Sequence, residues 1–65
     1  MKIDARKMFA ICADGGISMK MLKEKSGLSY GTINAIRNGQ KVKAETLGKL
    51  ASALNVKSIE LLPEV

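Results

Sequence analysis

The chain has 65 residues, a formal net charge of +5, one cysteine and no histidine. A chain of this length supports one domain, which we expect to cover residues 1–65, and it buries only about 60 % of the surface that its unfolded form exposes. One cysteine excludes an intramolecular disulfide and, without histidine, a zinc ligand set, so we expect no metal and no cofactor.

The apolar segments are too short for a membrane protein. No apolar run approaches the roughly 20 residues that cross a bilayer, and residues 1–10 carry charges where a signal peptide would need its apolar stretch. We therefore expect a cytoplasmic protein that binds no membrane.

The first predicted helix covers residues 4–13, with Asp4 as its N-cap and with Gly15 and Gly16 as its stop. Its apolar residues recur at the i, i+3, i+4, i+7 spacing of one helical face: Ala5, Met8, Phe9 and Cys12. On this face Cys12 is expected to be a buried, unreactive thiol.

A second and a third helix are predicted close together. Ser18 is the expected N-cap of the second helix, and Gly27 supplies the left-handed residue that ends it. Only Leu28 separates Gly27 from Ser29, the expected N-cap of a third helix that reaches about residue 38. The chain must turn sharply there. Three methionines are expected to fill gaps in the core: Met8, Met19 and Met21.

A basic loop, "QKVK", precedes the fourth predicted helix, "AETLGKLASAL", which Asn55 should end. Its apolar residues share one face: Leu47, Leu50, Ala51 and Leu54. Ser58 is the expected N-cap of a last helical turn, "IELL", before Pro63 prevents continuation. The sequence thus predicts an all-α protein of five short helices without strands.

The apolar residues near the C-terminus exceed what one thin core needs: Val56, Ile59, Leu61, Leu62 and Val65. Part of this set forms a dimer contact, or all of it folds back on helices one and four. Both alternatives are open at this point.

The basic excess lies in the middle of the chain. Between Lys20 and Lys49, seven basic residues stand against two glutamates, whereas four basic and four acidic residues balance outside this window. A localised basic region is typical of a polyanion binder, but a solvated lysine surface without a partner is also common. Charge alone leaves both readings open.

The outer face of the third helix is the candidate site. At about 100° per residue, Ile33 and Ile36 point to the core. The residues that point away are Gly31, Asn34, Ala35 and Asn38, and those that flank are Tyr30, Thr32 and Arg37. Glycine and asparagine form helices poorly, so their presence favours close approach to another surface.

These side chains suit DNA. Asparagine makes bidentate contacts with adenine and arginine with guanine, while threonine and tyrosine add hydrogen bonds. Ser18, Ser29 and Asn38, together with backbone amides at the helix starts, suit phosphate oxygens, and Lys41 and Lys43 follow the third helix directly. Tyr30 also suits the edge of the core, and Asn38 also suits a helix end.

The segment "ISMKMLKEKSGLSYGTINAIRNGQ" resembles the helix-turn-helix of the Cro/repressor family of phage and bacterial regulators, and the similarity extends from about Met8 to Leu62. The matching residues are Leu22, Gly27, Leu28, Ser29, Thr32, Ile33, Ile36, Asn38, Gly39, Glu45, Thr46, Leu47 and the helix "LASALNV".

The resemblance implies a compact five-helix, lambda-repressor-like domain in which helices two and three form the helix-turn-helix and helix three enters the major groove. It also implies dimers on two half-sites about 34 Å apart. Met19 stands where many members carry a glutamine, so only its backbone N–H can contact phosphate. Cys12 and Arg37 stand where many members have a buried Arg–Glu pair, which frees Arg37 for DNA.

The residues and the resemblance together give two sets of candidates. The expected base-reading residues are Tyr30, Gly31, Thr32, Asn34, Ala35 and Arg37. The expected phosphate contacts are Ser18, Met19, Ser29, Asn38, Lys41 and Lys43.

We therefore expect a sequence-specific regulator of phage, plasmid or transposon type that binds double-stranded DNA. It should bind a palindromic operator as a homodimer and need no small-molecule effector. We expect no enzymatic activity, since the chain has no histidine and its one cysteine lacks a base partner. The alternative is a protein-interaction module, such as a small antitoxin, because Gly31 and Ala35 are poor in hydrogen-bonding groups.

Overall fold

A computed structural model describes residues 1–64. The elements in chain order are α1 (Ala5–Gly15), α2 (Met19–Ser26), α3 (Tyr30–Arg37), α4 (Ala44–Leu54) and a 3₁₀ turn (Ser58–Leu61). The predicted all-α class is confirmed. No helix in the described part of the chain is long and apolar enough to cross a membrane.

The last element differs from the prediction. It is a single 3₁₀ turn of four residues rather than a fifth α-helix, because Pro63 follows two residues later and prevents further helical hydrogen bonds. Its N-cap is Lys57 and not Ser58, and the Glu60 carboxylate accepts a hydrogen bond of 2.8 Å from the Lys57 backbone N–H.

The predicted N-caps of the first three helices are confirmed. Asp4 Oδ1 accepts hydrogen bonds from the backbone N–H groups of Arg6 and Lys7 at 3.0 and 3.3 Å. Ser18 Oγ accepts one from the Met21 N–H at 3.2 Å, and Ser29 Oγ accepts one from the Thr32 N–H at 3.2 Å. These local contacts start α1, α2 and α3 where the sequence places them.

Left-handed residues end three of the helices. Gly16, Gly27 and Asn55 take φ values of 64°, 72° and 55° at the ends of α1, α2 and α4. α1 continues to Gly15, beyond the predicted end at residue 13, since Gly16 and not Gly15 leaves the helical conformation.

Each of the five elements places one side chain fully inside the core. These side chains are Met8, Leu22, Ile36, Leu50 and Leu61. α2 packs against α4, and the 3₁₀ turn packs against both α1 and α4. The expectation that Met21 fills the core is wrong: it is 39 % exposed, because Leu22 and Ser26 define the inner face of α2 and Met21 points about 100° away from Leu22.

The first four residues are tied to distant parts of the chain. Ile3 is buried in the core, and the Asp4 N–H donates to the Leu61 carbonyl at 2.8 Å. The Met1 carbonyl accepts a hydrogen bond of 2.6 Å from the Val42 N–H. The N-terminal segment therefore runs beside the basic loop that follows α3, an arrangement that no local pattern predicts.

The apolar residues near the C-terminus differ in how far the structure buries them. Leu61 is fully buried, and Val56 and Leu62 pack in part against the core, whereas Ile59 is 71 % exposed. Val65 lies outside the described residues. Folding back on the core accounts for three of these residues and leaves Ile59 at the surface.

Candidate nucleic-acid interface

The turn between α2 and α3 is held by a buried hydroxyl group. Ser26 Oγ accepts a hydrogen bond of 3.2 Å from the Leu28 N–H, and Ser26 is only 7 % exposed. Gly27 takes the left-handed conformation, and Leu28 packs partly against the core. These three residues fix the direction in which α3 leaves α2. Ser26 is not among the residues predicted from the sequence, and its signal there is its position one turn after Leu22 on the inner face of α2.

The exposed face of α3 is the one that the sequence predicts. Ile33 and Ile36 are buried, Gly31, Asn34 and Asn38 are exposed, and Ala35 is half-buried. The eight residues of α3 rise about 12 Å, which is comparable with the width of the major groove of B-DNA.

An open groove lies between α3, the loop that follows it and the start of α4. Six of the predicted site residues line this groove: Ser29, Gly31, Thr32, Ala35, Lys41 and Lys43. Val42 and Thr46 complete the lining and were not predicted. The tertiary structure thus brings base-reading and phosphate-contacting candidates onto one concave surface.

Two base-reading candidates lie on the other side of α3. The Lys23 Nζ lies 5.3 Å from the centroid of the Tyr30 ring, and the Arg37 Cζ lies 5.7 Å from the centroid of the Phe9 ring. Arg37 is separated from Ala35 by about 160° around the helix. Tyr30 and Arg37 are therefore near α2 and α1, respectively, and not in the groove.

The starts of α2 and α3 offer backbone donors. The first amides of a helix have no acceptor within it, which leaves the N–H groups of Met19 and Lys20 in α2 and of Tyr30 and Gly31 in α3 for other acceptors. The Met19 side chain packs partly against the core, so only its backbone is placed for an anion. Oriented donors of this kind bind phosphate.

Among the described residues, the lysines of the groove have no carboxylate partner. Among residues 1–64, the ion pairs are Lys7–Glu64 at 3.6 Å and Lys49–Glu45 at 3.3 Å. Lys41 and Lys43 are exposed and belong to neither pair. The groove therefore carries uncompensated positive charge.

Cys12 lies inside the core and away from this surface. Its side chain is 3 % exposed, and burial raises the pKa of the Cys12 thiol from its ordinary value of 9.0. The thiol is thus neutral and poorly nucleophilic at physiological pH.

The helix-turn-helix family model matches residues 10–62. This range includes all of α2, α3 and α4, and the chain belongs to the helix-turn-helix family of Cro/repressor type. The protein is a DNA-binding helix-turn-helix regulator, and its partner is double-stranded DNA. Neither the curated proteins nor the solved structures give a match.

Proposed function

We propose that the protein is a sequence-specific transcriptional repressor of phage, plasmid or transposon type that reads the major groove with residues 29–38. The observation that carries this proposal is that the outward face of α3 and the exposed Lys41 and Lys43 line the same groove. A helix that enters the major groove needs base-reading groups on its outer face and cations beside it for the phosphates.

The composition of the α3 face supports close contact with base pairs. Asn34 is exposed and suits a bidentate contact with adenine, whereas Thr32 lies in the groove with a hydroxyl and a methyl group. Gly31 and Ala35 present almost no side chain, so the α3 backbone approaches the base edges, and Ala35 suits a thymine methyl. Arg37 would join them only by leaving the Phe9 ring.

The phosphate contacts fall around this face. Ser29, Lys41 and Lys43 border the groove, and Asn38 is exposed at the end of α3. Ser18 and the Met19 N–H are at the start of α2, where unpaired amides favour an anion. We assign these residues to the two DNA strands that flank the major groove.

The operator should be a palindrome bound by a homodimer. A partly exposed apolar patch is formed by exposed Ile59 and Pro63 and by half-buried Leu62, with Lys7 and Glu64 at its rim. A two-fold contact sets such a patch against itself. In such a contact, Lys7 of each copy also pairs with Glu64 of the other copy, and Glu64 is 89 % exposed in the single chain. A second copy of this chain is therefore the occupant that we propose.

Selection of duplexes from a random pool, followed by titration at several salt concentrations, tests the proposal. A sequence-specific repressor should recover sites with two-fold symmetry and bind random duplex on the order of a thousandfold more weakly. Uniformly weak binding to every duplex would overturn it and favour the protein-interaction alternative, in which the small residues Gly31 and Ala35 receive a protein surface.

Sedimentation of Ile59→Glu with and without operator DNA tests the dimer. The substitution places a charge in the apolar patch, so we expect loss of the two-protomer complex and retention of one protomer per half-site. Lys57→Glu, a nearby exposed position outside the patch, is the matched control. A dimer that survives in Ile59→Glu would show that another surface joins the copies.

A further inference from the structure

The N-terminal segment pairs with the basic loop in a defined register. The Val42 N–H donates to the Met1 carbonyl at 2.6 Å, and the Met1 α-ammonium donates to the Val42 carbonyl at 3.0 Å. Lys2 and Lys41 form an antiparallel bridge beside this pair. Because Met1 and Val42 are the hydrogen-bonded pair, Lys2 and Lys41 are the non-hydrogen-bonded pair, in which opposite side chains come closest. The register therefore sets two lysines face to face.

The two faces of this short ribbon differ. Ile3 is buried and Val42 packs partly against the core, whereas Lys2 and Lys41 are exposed. Alternate residues of extended chain point to opposite sides, so both lysines lie on the outer side. A Cβ built on Gly39 would lie 3.4 Å from Lys2 Cε, so the Lys2 side chain passes over the end of α3.

Two like charges opposite each other destabilise a strand pair. Neither Lys2 nor Lys41 belongs to an ion pair among residues 1–64. Lys41 also lines the groove beside α3. An anion placed between the two ammonium groups would remove their repulsion, and the anion that this surface meets in the proposed function is a phosphate of the DNA backbone.

We propose that Lys2 and Lys41 together bind one DNA phosphate next to the C-terminal end of α3, so that the N-terminal segment is part of the DNA interface. This inference rests on the proposed function. It adds Lys2, a residue far from the helix-turn-helix in sequence, and it gives Lys41 a specific partner.

The test is a double-mutant cycle of Lys2→Ala and Lys41→Ala, read by binding to the selected operator and to random duplex. Lys2→Ala should weaken both to the same extent, roughly three- to tenfold at 0.1 M salt, because a phosphate contact carries no sequence information. The effect of Lys2→Ala should be smaller when Lys41 is already alanine, since the two groups share one phosphate. For the double variant, the slope of the logarithm of the binding constant against the logarithm of salt concentration should be shallower by about 0.9.

Lys57→Ala removes the same charge outside the groove and is the control. Thermal unfolding of Lys2→Ala without DNA should show no loss of stability, because the substitution removes a repulsion and leaves Ile3 and the backbone pairing in place.

The outcomes separate this inference from the proposed function. Operator-specific binding in which Lys2→Ala behaves like Lys57→Ala overturns the phosphate site and leaves the repressor. If the fold-losses of DNA affinity in Lys2→Ala and Lys41→Ala multiply in the double variant, the two lysines act independently, and the shared phosphate is overturned. Binding without sequence preference that Lys2→Ala still weakens supports the site and overturns the repressor. A wild-type protein that binds no duplex overturns both.

Discussion

The Lys23 ammonium lies over the ring of Tyr30, with 5.3 Å between Nζ and the ring centroid. Lys23 belongs to α2 and Tyr30 is the first residue of α3, so the contact joins the two helices of the helix-turn-helix. The half-buried lysine side chain is accommodated beside the aromatic ring. The contact thereby holds the Tyr30 ring against α2 at the start of α3.

We expect the ε-methylene protons of Lys23 to resonate upfield of their free position, because the ammonium group to which they are joined lies over the Tyr30 ring. Tyr30→Leu should return them to that position, whereas Tyr30→Phe should leave them upfield. Lys23→Met, which keeps the stem, should lower the free energy of unfolding by about 0.5–1 kcal/mol. Unshifted Lys23 protons in the wild-type spectrum would contradict the contact.

Gly31→Ala tests whether the α3 backbone approaches DNA closely. An added Cβ would meet only Ser29 Oγ, at 3.7 Å, so the variant should fold and gain helical stability. On DNA the extra methyl group should lower operator affinity by about tenfold or more, which corresponds to a loss of about 1.4 kcal/mol or more of binding free energy. Gly48→Ala is the matched control, since its Cβ meets nothing within 4 Å on exposed α4. Equal operator affinity in both variants would argue against close approach.

Asn34→Ala and Lys43→Ala should weaken DNA binding in different ways. Loss of a base contact at Asn34 should cost about 1–3 kcal/mol for the operator and relax the preference at one base pair, with random duplex bound as before. Loss of a phosphate contact at Lys43 should weaken operator and random duplex alike. Selected-site sequences and titrations of the two variants measure this. A uniform effect of Asn34→Ala would place it among the phosphate contacts.

Ser26→Ala should destabilise the fold. The substitution leaves the Leu28 N–H without its buried acceptor, so we expect the free energy of unfolding to fall by about 1–2 kcal/mol in urea titrations. Ser52→Ala, on the exposed side of α4, should be neutral or raise stability by up to about 0.5 kcal/mol. If both serine variants were equally stable, the hydroxyl group would have no part in fixing the turn.

Burial of Cys12 makes stability depend on pH in the alkaline range. Because the folded-state pKa of the thiol is raised above 9.0, the folded protein retains a proton that the unfolded chain loses. This contribution is fully present below the ordinary pKa and is lost as pH rises through the folded-state pKa. Urea titrations between pH 7 and 11 should therefore show a steeper fall for the wild-type protein than for Cys12→Ala. Parallel curves would contradict the shifted pKa.

The sequence by itself determined most of the local structure. Asp4, Ser18 and Ser29 cap helices with contacts that span only a few residues, and Gly27 and Asn55 end helices through their own backbone preference. Such features depend on near neighbours and on rotamer or φ preferences, so the local amino-acid sequence is enough to predict them. The spacing of Ile33 and Ile36 likewise fixed which face of α3 is buried and, by difference, which face is exposed.

Tertiary structure alone decided which side chains meet across elements. The pairing of Met1 with Val42, the position of Lys2 over Gly39 and the placement of Arg37 over Phe9 join residues distant in sequence. These contacts depend on how α1, α3 and the loop pack on the shared core, and burial of apolar area is non-directional, so composition and periodicity do not specify them. Lys41 and Lys43 could be predicted as phosphate contacts from their place after α3. The position of Lys2 opposite Lys41 could not, because it depends on how the N-terminal segment packs in the folded chain.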